Sequence, residues 1–360
     1  MKPGRMILTA GMLLLALIAA SVPREEARSQ PFPLWREGDG GDPNPELERL
    51  ANAFARLAEK VRPAVVQLRV SLNPPSAQDG ENQPPASSRG SGFIIHPAGY
   101  VLTAHHVVEG AREVEIRLAD RRRLRAQVVG TDPEVDVALV KVSGRHELPT
   151  LALGDSDHSQ VGEWVGSLGY PFGLESSLSL GIISRHGRNI STGFDFIQTN
   201  AGASAGWSGG PLVNVRGHAV GMITMASDRG NMGFAVPINV IKVVIPRLLS
   251  GEKIVWGWLG VRVSDLSLEG AEALGLSPVQ GVLVSAVLPG QPAEKGGILS
   301  YDVILAVNGV RVDSPRELTR LIAGIEAGRD VSLAIFRKGG TLKLSVRLGQ
   351  KPKSTERREG

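Results

Sequence analysis

The chain contains no cysteine among its 360 residues. Disulfide bonds, catalytic thiolates and cysteine-based metal sites are therefore excluded, whatever compartment the protein occupies. Aromatic residues make up only 4% of the chain, whereas hydrophobic residues together make up 42%. The cores must then be built mainly from Val, Ile and Leu in short strands with glycine between them, which favours barrels of alternating or wholly buried strands.

The sequence also lacks a strong excess of either charge, since its formal net charge is +4. The densest basic group is Arg121, Arg122, Arg123 and Arg125, which is typical of a solvated hairpin. No basic stripe interleaved with aromatic residues accompanies it, so we expect no nucleic-acid binding. The seven histidines show no ligand spacing. The sequence therefore predicts neither a metal site nor a cofactor.

One apolar run approaches the length of a membrane span. It extends from Ile7 to Val22 and follows the basic residues Lys2 and Arg5. The run is longer than a typical signal-peptide core but shorter than an untilted span of about twenty residues. Residues 1–29 are therefore predicted to be a signal peptide or an uncleaved membrane anchor, and the two alternatives stay open.

The segment from Gly206 to Leu212 reads Gly-Trp-Ser-Gly-Gly-Pro-Leu. It places the Ser208 hydroxyl on a glycine-padded turn, where the backbone N–H groups of Gly206 and Ser208 could face a substrate carbonyl. A hydroxyl becomes nucleophilic only when a nearby base accepts its proton, and the resulting oxyanion needs preformed donors. The segment is thus a candidate nucleophile with its oxyanion hole.

A base and an acid lie upstream of this serine. His105 and His106 follow a strand-like segment, and Asp136 lies inside an apolar run where an unpaired carboxylate would be costly to bury. Asp132 is the competing acid, but it precedes Pro133 in a predicted turn, where aspartate is common. The order His, Asp, Ser is the order of chymotrypsin-type proteases.

With its histidine, aspartate and serine segments in this order, the chain resembles the HtrA (Deg) family of serine proteases. Further segments similar to the family are Ser167–Leu174, Gly181–Ser184 and Gly233–Pro237, and the likeness covers about residues 48–349. The resemblance implies a mainly β fold: a chymotrypsin-like double six-stranded β-barrel over residues 47–249, followed by a PDZ domain over residues 255–349 with two helices on a small barrel.

The resemblance also assigns roles to the candidate residues. Ser208 resembles the nucleophile, His106 the general base and acid, and Asp136 the group that orients the imidazole and stabilises its charged form. The family histidine directly precedes a Val-Val pair, which selects His106 over its neighbour His105. The implied activity is that of a serine endopeptidase with an acyl-enzyme mechanism.

The primary specificity pocket is predicted from the same resemblance. The residue six before the nucleophile lies at the pocket base in trypsin-like enzymes, and here it is Gly202. No carboxylate is available there for a Lys or Arg side chain. Ile223, Thr224 and Met225 form a mostly apolar wall, so we expect cleavage after small or medium aliphatic residues.

Two positions depart from the family pattern. Trp207 stands where a small amide residue is usual, and its bulk could tilt the Gly206 N–H. Asn200 stands where an aspartate is common. Neither change removes a triad member, but Trp207 favours the alternative function, which is a weakly active or inactive protease-like chaperone or peptide-binding sensor.

The second module is predicted to bind peptides. A PDZ domain adds a partner's C-terminal strand to a sheet edge and holds the terminal carboxylate with backbone N–H groups. The residues at that loop and strand are Trp258, Leu259, Gly260 and Val261. The segment 250–253 is the predicted hinge before this module, and the charged tail 350–360 is predicted to be disordered.

The remaining predictions concern segments around the protease domain. Residues 30–46 form a linker with the apolar residues Phe32, Leu34 and Trp35, and the resemblance implies that such residues hold a homotrimer together. An apolar stripe from Leu47 to Val61 predicts an amphipathic helix ended by Pro63. The segment Asn73–Pro85 is too polar and proline-rich to pack, so we expect a mobile loop.

The family likeness finally implies a location and partners. We expect a bacterial periplasmic protein, either soluble or anchored to the inner membrane. It would cleave unfolded polypeptides or polypeptides with exposed C-termini during protein quality control or a stress response.

Overall fold

A computed structural model describes residues 44–72, 87–144, 147–189, 195–202, 204–226, 232–251 and 255–351. The predicted signal or anchor segment, the linker up to residue 43, the loop Asn73–Pro85 and residues 352–360 of the tail lie outside these ranges. The chain divides into the units Met1–Leu50 and Ala51–Gly360. No helix within the described ranges is both long and apolar enough to cross a membrane.

The first described element is helix α1, Pro45–Val61. Asn44 caps its start, because the Asn44 side-chain oxygen accepts a hydrogen bond from the Glu46 N–H at 2.9 Å. The helix therefore begins two residues before the predicted Leu47. It ends where a short 3-10 turn, Arg62–Ala64, carries the proline that the sequence marked as the stop.

Six antiparallel strands then close into the first barrel, in the order β1-β2-β3-β6-β5-β4. Strand β3 is followed by a single helical turn, α2, His105–Val108. The alternating or continuous apolar runs of these strands fill the barrel with aliphatic side chains and Phe93. The strands are β1 Val65–Leu72, β2 Ser87–His96, β3 Tyr100–Thr103, β4 Ala111–Arg117, β5 Arg123–Asp132 and β6 Val137–Val142.

A second closed barrel has the order β10-β11-β12-β9-β8-β7. Helix α3, Ile238–Ser250, follows it and ends at Gly251 in the left-handed conformation. The helix lies directly on β5 of the first barrel, where a Cβ on Gly130 would lie 2.5 Å from the Leu248 carbonyl oxygen. The strands are β7 Trp164–Gly169, β8 Ser177–Asn189, β9 Asp195–Thr199, β10 Pro211–Asn214, β11 Ala219–Ala226 and β12 Gly233–Pro237.

The C-terminal part has its own aliphatic core and a six-stranded sheet in which β14-β15-β16-β18-β19 form the main path and β17 pairs with β16. A separate two-stranded sheet joins β13 and β20. The strands of the C-terminal part are β13 Gly257–Trp258, β14 Val261–Asp265, β15 Val282–Val287, β16 Val303–Val307, β17 Val310–Arg311, β18 Asp330–Arg337, β19 Gly340–Arg347 and β20 Gly349–Gln350. Its helices are α4 Leu268–Leu274, α5 Pro292–Lys295 and α6 Pro315–Gly324. The mainly β fold with two closed six-stranded barrels and a following PDZ-like sheet confirms the predicted fold class.

Polar contacts connect this C-terminal part to the barrels. The Trp256 indole N–H donates to Asp132 Oδ2 at 3.0 Å, and both side chains are buried. Lys351 pairs with Glu134 at 2.9 Å. Burial raises the pKa of Asp132, and its hydrogen bonds only partly offset that effect. The turn before Asp136 is therefore held from the side of the C-terminal sheet.

Candidate active site

The end of β3 presents His106 at the edge of the first barrel. Val107 and Val108 are buried and fix the helical turn α2 in the barrel wall, whereas 47% of the His106 side chain is exposed. Ala104 precedes the turn and has no side chain that could cap it. The Asp136 carboxylate supplies that cap, since its Oδ1 accepts a hydrogen bond from the His106 backbone N–H at 2.9 Å.

Asp136 also holds the imidazole of His106. Its Oδ2 lies 2.8 Å from His106 Nδ1, and the Thr224 hydroxyl donates to the same oxygen. The buried residues Val135 and Val137 flank the aspartate, whose backbone is left-handed at φ 57°. This tight turn directs the carboxylate towards the histidine, as the sequence predicted from the cost of leaving it unpaired.

The pair changes the proton affinity of both side chains. The hydrogen bond that the His106 imidazole donates to Asp136 is the largest effect on His106, and it raises the pKa of the imidazole above its ordinary value. For Asp136, burial acts to raise the pKa, but the hydrogen bonds and charge of His106 outweigh it and leave the pKa below its ordinary value. The site therefore stabilises an imidazolium beside a carboxylate, which is the charge state that forms when the histidine accepts a proton.

Ser208 lies on a turn of the second barrel that is pressed against the first. The Ser91 N–H of β2 donates to the Ser208 carbonyl at 2.8 Å. Gly209 has φ 85°, and a Cβ there would lie 2.2 Å from the Ser91 carbonyl oxygen. Only glycine allows this approach. The glycine padding predicted around the serine is thus a requirement of the contact between the barrels.

The Ser208 hydroxyl donates to the carbonyl oxygen of Thr224 at 3.3 Å. Within the described part of the chain, no hydrogen bond joins Ser208 to His106. Thr224 nevertheless contacts both ends of the constellation, because its hydroxyl binds Asp136 while its carbonyl holds the serine. Transfer of the Ser208 proton to His106 therefore requires the hydroxyl to turn away from Thr224, a change that substrate binding commonly brings about.

The two predicted oxyanion-hole donors are directed away from internal acceptors. The Ala205 carbonyl accepts from Phe172 N at 3.0 Å, and the Trp207 carbonyl accepts from Gly210 N at 2.8 Å. Carbonyl and N–H point in opposite directions across a trans peptide, so the N–H groups of Gly206 and Ser208 face the other side. Neither N–H has a hydrogen-bond partner among the described residues. Both N–H groups can donate a hydrogen bond to an oxygen of a bound molecule.

The structure accommodates Trp207 in the interior of the second barrel. Its side chain is 6% exposed and packs with Ile183, Ile197 and other apolar residues of that core. Gly169 leaves room for it, since a Cβ there would lie 3.2 Å from Trp207 Cα and Cε3. The bulk that the sequence placed beside the oxyanion hole is therefore taken up by the core.

The four predicted pocket residues occupy different environments. Gly202 lies between neighbouring strands, where its N–H donates to the Ser179 hydroxyl and its carbonyl accepts from Ser167, each at 2.8 Å. Ile223 is buried in the barrel core, whereas Met225 is 37% exposed. Thr224, predicted as a pocket wall, has its hydroxyl on Asp136 instead. The exposed wall that a substrate could meet is therefore Met225.

The predicted peptide-binding residues line a groove of the C-terminal part. Trp258, Leu259, Gly260 and Val261 form one side of it, and Leu318 and Ile322 of α6 face them. The carbonyls of Leu259 and Gly260 accept hydrogen bonds from Ala293 and Leu288. Their N–H groups have no such partner in the described ranges, so they are available to an incoming carboxylate.

Sequence reasoning missed the roles of two residues at this site, one of which, Thr224, was predicted only as a pocket wall. The Thr224 hydroxyl holds Asp136, and the buried Ser91 hydroxyl contacts the loop of Gly206. For Ser91 the available signal was a lone serine between Gly90 and Gly92 at the start of an apolar strand. Within the described ranges, no group of three or more His, Asp or Glu side chains is arranged to hold a metal ion.

Two family models match separate parts of the chain. Residues 90–222 match the model of a trypsin-like peptidase domain, and residues 257–348 match that of a PDZ domain. The first match contains His106, Asp136 and Ser208.

Similar proteins bear related names. The "Probable periplasmic serine endoprotease DegP-like" of Pseudomonas savastanoi pv. phaseolicola is 40% identical over 314 residues, which cover 86% of this chain and 64% of that protein. Its namesake in Pseudomonas putida strain F1 is 42% identical with the same coverage. The chain thus spans about 64% of the length of these relatives.

Solved structures resemble the chain over most of its length. The "HtrA-type protease AlgW with tripeptide" is 34% identical at a TM-score of 0.61, with 83% of this chain and 97% of that chain covered. A "serine endoprotease from Yersinia pestis" is 26% identical at a TM-score of 0.53, covering 83% of this chain and 98% of that one.

Proposed function

Because this chain belongs to the HtrA-type serine protease family, we propose that it is a serine endopeptidase that cleaves polypeptides through an acyl-enzyme at Ser208. The observation that carries the proposal is the 2.8 Å contact between His106 Nδ1 and Asp136 Oδ2. It leaves the other ring nitrogen, Nε2, to exchange a proton with the serine on the facing barrel. Thr224 links the two halves of the site by touching both Asp136 and Ser208.

The reaction follows from these contacts. His106 accepts the hydroxyl proton as Ser208 Oγ bonds to the substrate carbonyl carbon, and Asp136 stabilises the imidazolium. The carbonyl oxygen gains negative charge and is held by the N–H groups of Gly206 and Ser208. His106 then gives the proton to the leaving amine as the C–N bond breaks. Water then attacks the carbonyl carbon of the remaining ester while His106 accepts its proton. His106 returns this proton to Ser208 Oγ as the ester bond breaks and the carboxylic acid product leaves.

A phosphonylating probe tests nucleophile activation and the oxyanion hole together. We expect the wild-type chain to digest casein and to carry the probe on Ser208, located by peptide mass mapping. The probe adds to Oγ only when the hydroxyl loses its proton to a base, so Ser208→Ala should carry no label.

Equal and negligible casein cleavage by wild type and Ser208→Ala would contradict the proposal. That result would leave the peptide-binding chaperone or sensor as the remaining function. The packing of Trp207 into the barrel core removes the sequence feature that favoured this alternative.

Substrate preference is a finer part of the proposal. The base residue Gly202 brings no charge to the pocket, and Met225 gives it an apolar wall. We expect a peptide library to show Val, Ala or Leu before the cleaved bond, because an aliphatic side chain loses little on leaving water for such a pocket and a charged one loses much. A profile dominated by Lys or Arg would contradict this expectation.

The C-terminal part is proposed to bind peptides by their C-termini. The N–H groups of Leu259 and Gly260 would hold the terminal carboxylate, and the groove beside α6 would take the last side chain. Solved AlgW structures described as "with tripeptide" and "with decapeptide" support a peptide ligand for this protein. Unfolded polypeptides and polypeptides with exposed C-termini are the proposed substrates.

Location, assembly and boundaries complete the proposal. The relatives' names support a periplasmic protein, with residues 1–29 as its signal peptide or inner-membrane anchor. We propose a homotrimer acting in protein quality control or a stress response. We also propose a protease domain over 47–249 and a PDZ domain over 255–349, with a linker before helix α1. The tail predicted over 350–360 is not disordered at its start, because Gln350 belongs to β20 and Lys351 pairs with Glu134.

A further inference from the structure

A buried serine of the first barrel touches the loop that forms the candidate oxyanion hole. Ser91 on β2 is fully buried. Its hydroxyl donates to the Gly206 carbonyl at 2.6 Å and accepts from the Tyr170 N–H at 2.8 Å. Its backbone N–H donates to the Ser208 carbonyl at 2.8 Å. One residue thus contacts both sides of Trp207 and the segment that follows β7.

These bonds determine how Gly206 is oriented. The peptide before Gly206 is fixed where the Ala205 carbonyl accepts from Phe172 N at 3.0 Å. The peptide after it is fixed where the Gly206 carbonyl accepts from Ser91. Both torsions of Gly206 are therefore set by external partners. The Ser91 hydroxyl also accepts from the Tyr170 N–H, and Tyr170 is two residues from Phe172. The partners of the Ala205 and Gly206 carbonyls are therefore held at a fixed distance from each other.

Gly206 needs such anchors more than other residues do. Its φ of 95° lies in the region that favours glycine, and a Cβ there would lie 2.5 Å from the Tyr170 carbonyl oxygen. A glycine rotates freely about both torsions, so sterics alone do not hold its N–H towards a substrate. Hydrogen bonds to the adjacent carbonyls are what restrict it.

We propose that Ser91 is a positioning residue for catalysis, whose hydroxyl holds the Gly206 carbonyl so that the Gly206 N–H faces the substrate oxyanion. The inference rests on the proposed endopeptidase function and adds to it a residue of the first barrel that touches neither the substrate nor His106, Asp136 or Ser208 side chains. A donor held in advance stabilises the transition state without reorganising, whereas a mobile one does not.

The surroundings of Ser91 also explain why a small side chain is needed there. A Cβ on Gly169 would lie 3.0 Å from the Ser91 hydroxyl oxygen. A larger residue at position 91 would meet that backbone, and alanine would leave the Gly206 carbonyl and the Tyr170 N–H unpaired inside the protein. Cysteine keeps the approximate size but donates and accepts weakly.

The experiment compares Ser91→Ala, Ser91→Cys and Ser159→Ala in the full chain. Ser159 is a matched control, because it is also buried and its hydroxyl also donates to a backbone carbonyl, that of Ser156, at 2.7 Å. Each variant is assayed with a chromogenic peptide and with the corresponding peptide aldehyde. The aldehyde forms a tetrahedral hemiacetal with Ser208 whose oxygen occupies the oxyanion hole, so its affinity reports that hole directly.

We expect Ser91→Ala to lower kcat about tenfold with KM unchanged, since removing an oxyanion donor outright costs more, about 10²-fold to 10³-fold. Aldehyde affinity should fall by the same factor as kcat/KM. Ser91→Cys should lie between Ala and wild type, and it decides the matter if Ser91→Ala does not fold. Ser159→Ala should match wild type in both assays even if its Tm falls as far as that of Ser91→Ala.

Three results would overturn the inference. One is unchanged kcat in both Ser91 variants while the wild type cleaves the peptide. Another is a loss in kcat without loss of aldehyde affinity, which would indicate a general structural effect. An inactive wild type that takes no phosphonyl label would instead remove the proposed function, and the inference would fail with it.

Discussion

Replacing His106 by alanine is expected to lower kcat for peptide cleavage by about 10⁶-fold, the scale of loss on removing the base of a comparable triad. The hydroxyl of Ser208 would then have no group to accept its proton. Its present partner, the Thr224 carbonyl, accepts a hydrogen bond but cannot take a proton at neutral pH. The residual rate would come from substrate binding and the oxyanion donors alone. Steady-state cleavage of a chromogenic peptide measures the loss.

The adjacent histidine provides the control. His105→Ala removes an imidazole of the same helical turn whose Nε2 lies 3.7 Å from Glu109 and whose Nδ1 is buried without a partner. Its backbone N–H, which donates to the Asp136 carbonyl, remains. We therefore expect kcat close to that of wild type. Equal activity of His106→Ala and wild type, or a greater loss in His105→Ala, would refute the assignment of the base.

Asp136→Asn is expected to lower kcat by about 10⁴-fold while leaving the fold intact. The amide keeps the size of the carboxylate but carries no charge, and its NH₂ group cannot accept a hydrogen bond from His106 Nδ1–H. The imidazole would be held in the wrong tautomer or lose its contact, and the imidazolium would lose its stabilising charge. The cap on the His106 backbone N–H can be kept by the amide oxygen, which separates the chemical effect from unfolding.

The matched variant is Asp132→Asn, because Asp132 was the competing acid in the sequence. Its amide oxygen can still accept from Trp256, and the Asp132 carboxylate bonds to Glu134 and Trp256 rather than to His106. We expect near wild-type kcat. A loss in Asp132→Asn as large as that in Asp136→Asn would show that the whole turn, and not one carboxylate, is what catalysis requires.

The pH profile gives a second measurement on the same pair. Catalysis needs the neutral imidazole, and Asp136 raises the pKa of His106 above its ordinary value of about 6.5. Wild-type kcat/KM should therefore fall as the pH decreases through a midpoint above that value. In Asp136→Asn the midpoint should move to lower pH, because the stabilising charge has gone. An unchanged midpoint would contradict the proposed coupling.

Local patterns predicted short buried strands and barrels, whereas the double barrel followed by a PDZ domain was implied by the family resemblance. The apolar runs of the barrel strands predicted short buried strands, and Pro63 marked the end of α1. Asp136 could be selected over Asp132 since its neighbours predicted burial and Pro133 predicted a turn. The structure brings Asp136 against His106, while the catalytic roles of these residues and Ser208 remain predictions.

The missing parts of the site depend on contacts that span the chain. Ser91 and Gly206 are 115 residues apart, and Thr224 is 88 residues from Asp136. The two glycines beside Ser91 are only a weak local signal and Thr224 has none, because each hydroxyl gains its partner only when the two barrels meet. The same limit applied to Trp207, whose environment depends on distant small residues such as Gly169.

Trp207 directly precedes Ser208 in the chain and is at the same time part of the interior of the second barrel. Heating that loosens this interior would release the indole and, with it, the serine next in the chain. Thermal inactivation and melting of the second barrel should thus coincide. There should be no temperature range in which the barrel is folded but the enzyme is inactive. A substitution at position 207 is therefore expected to change the stability of the second barrel before it changes activity.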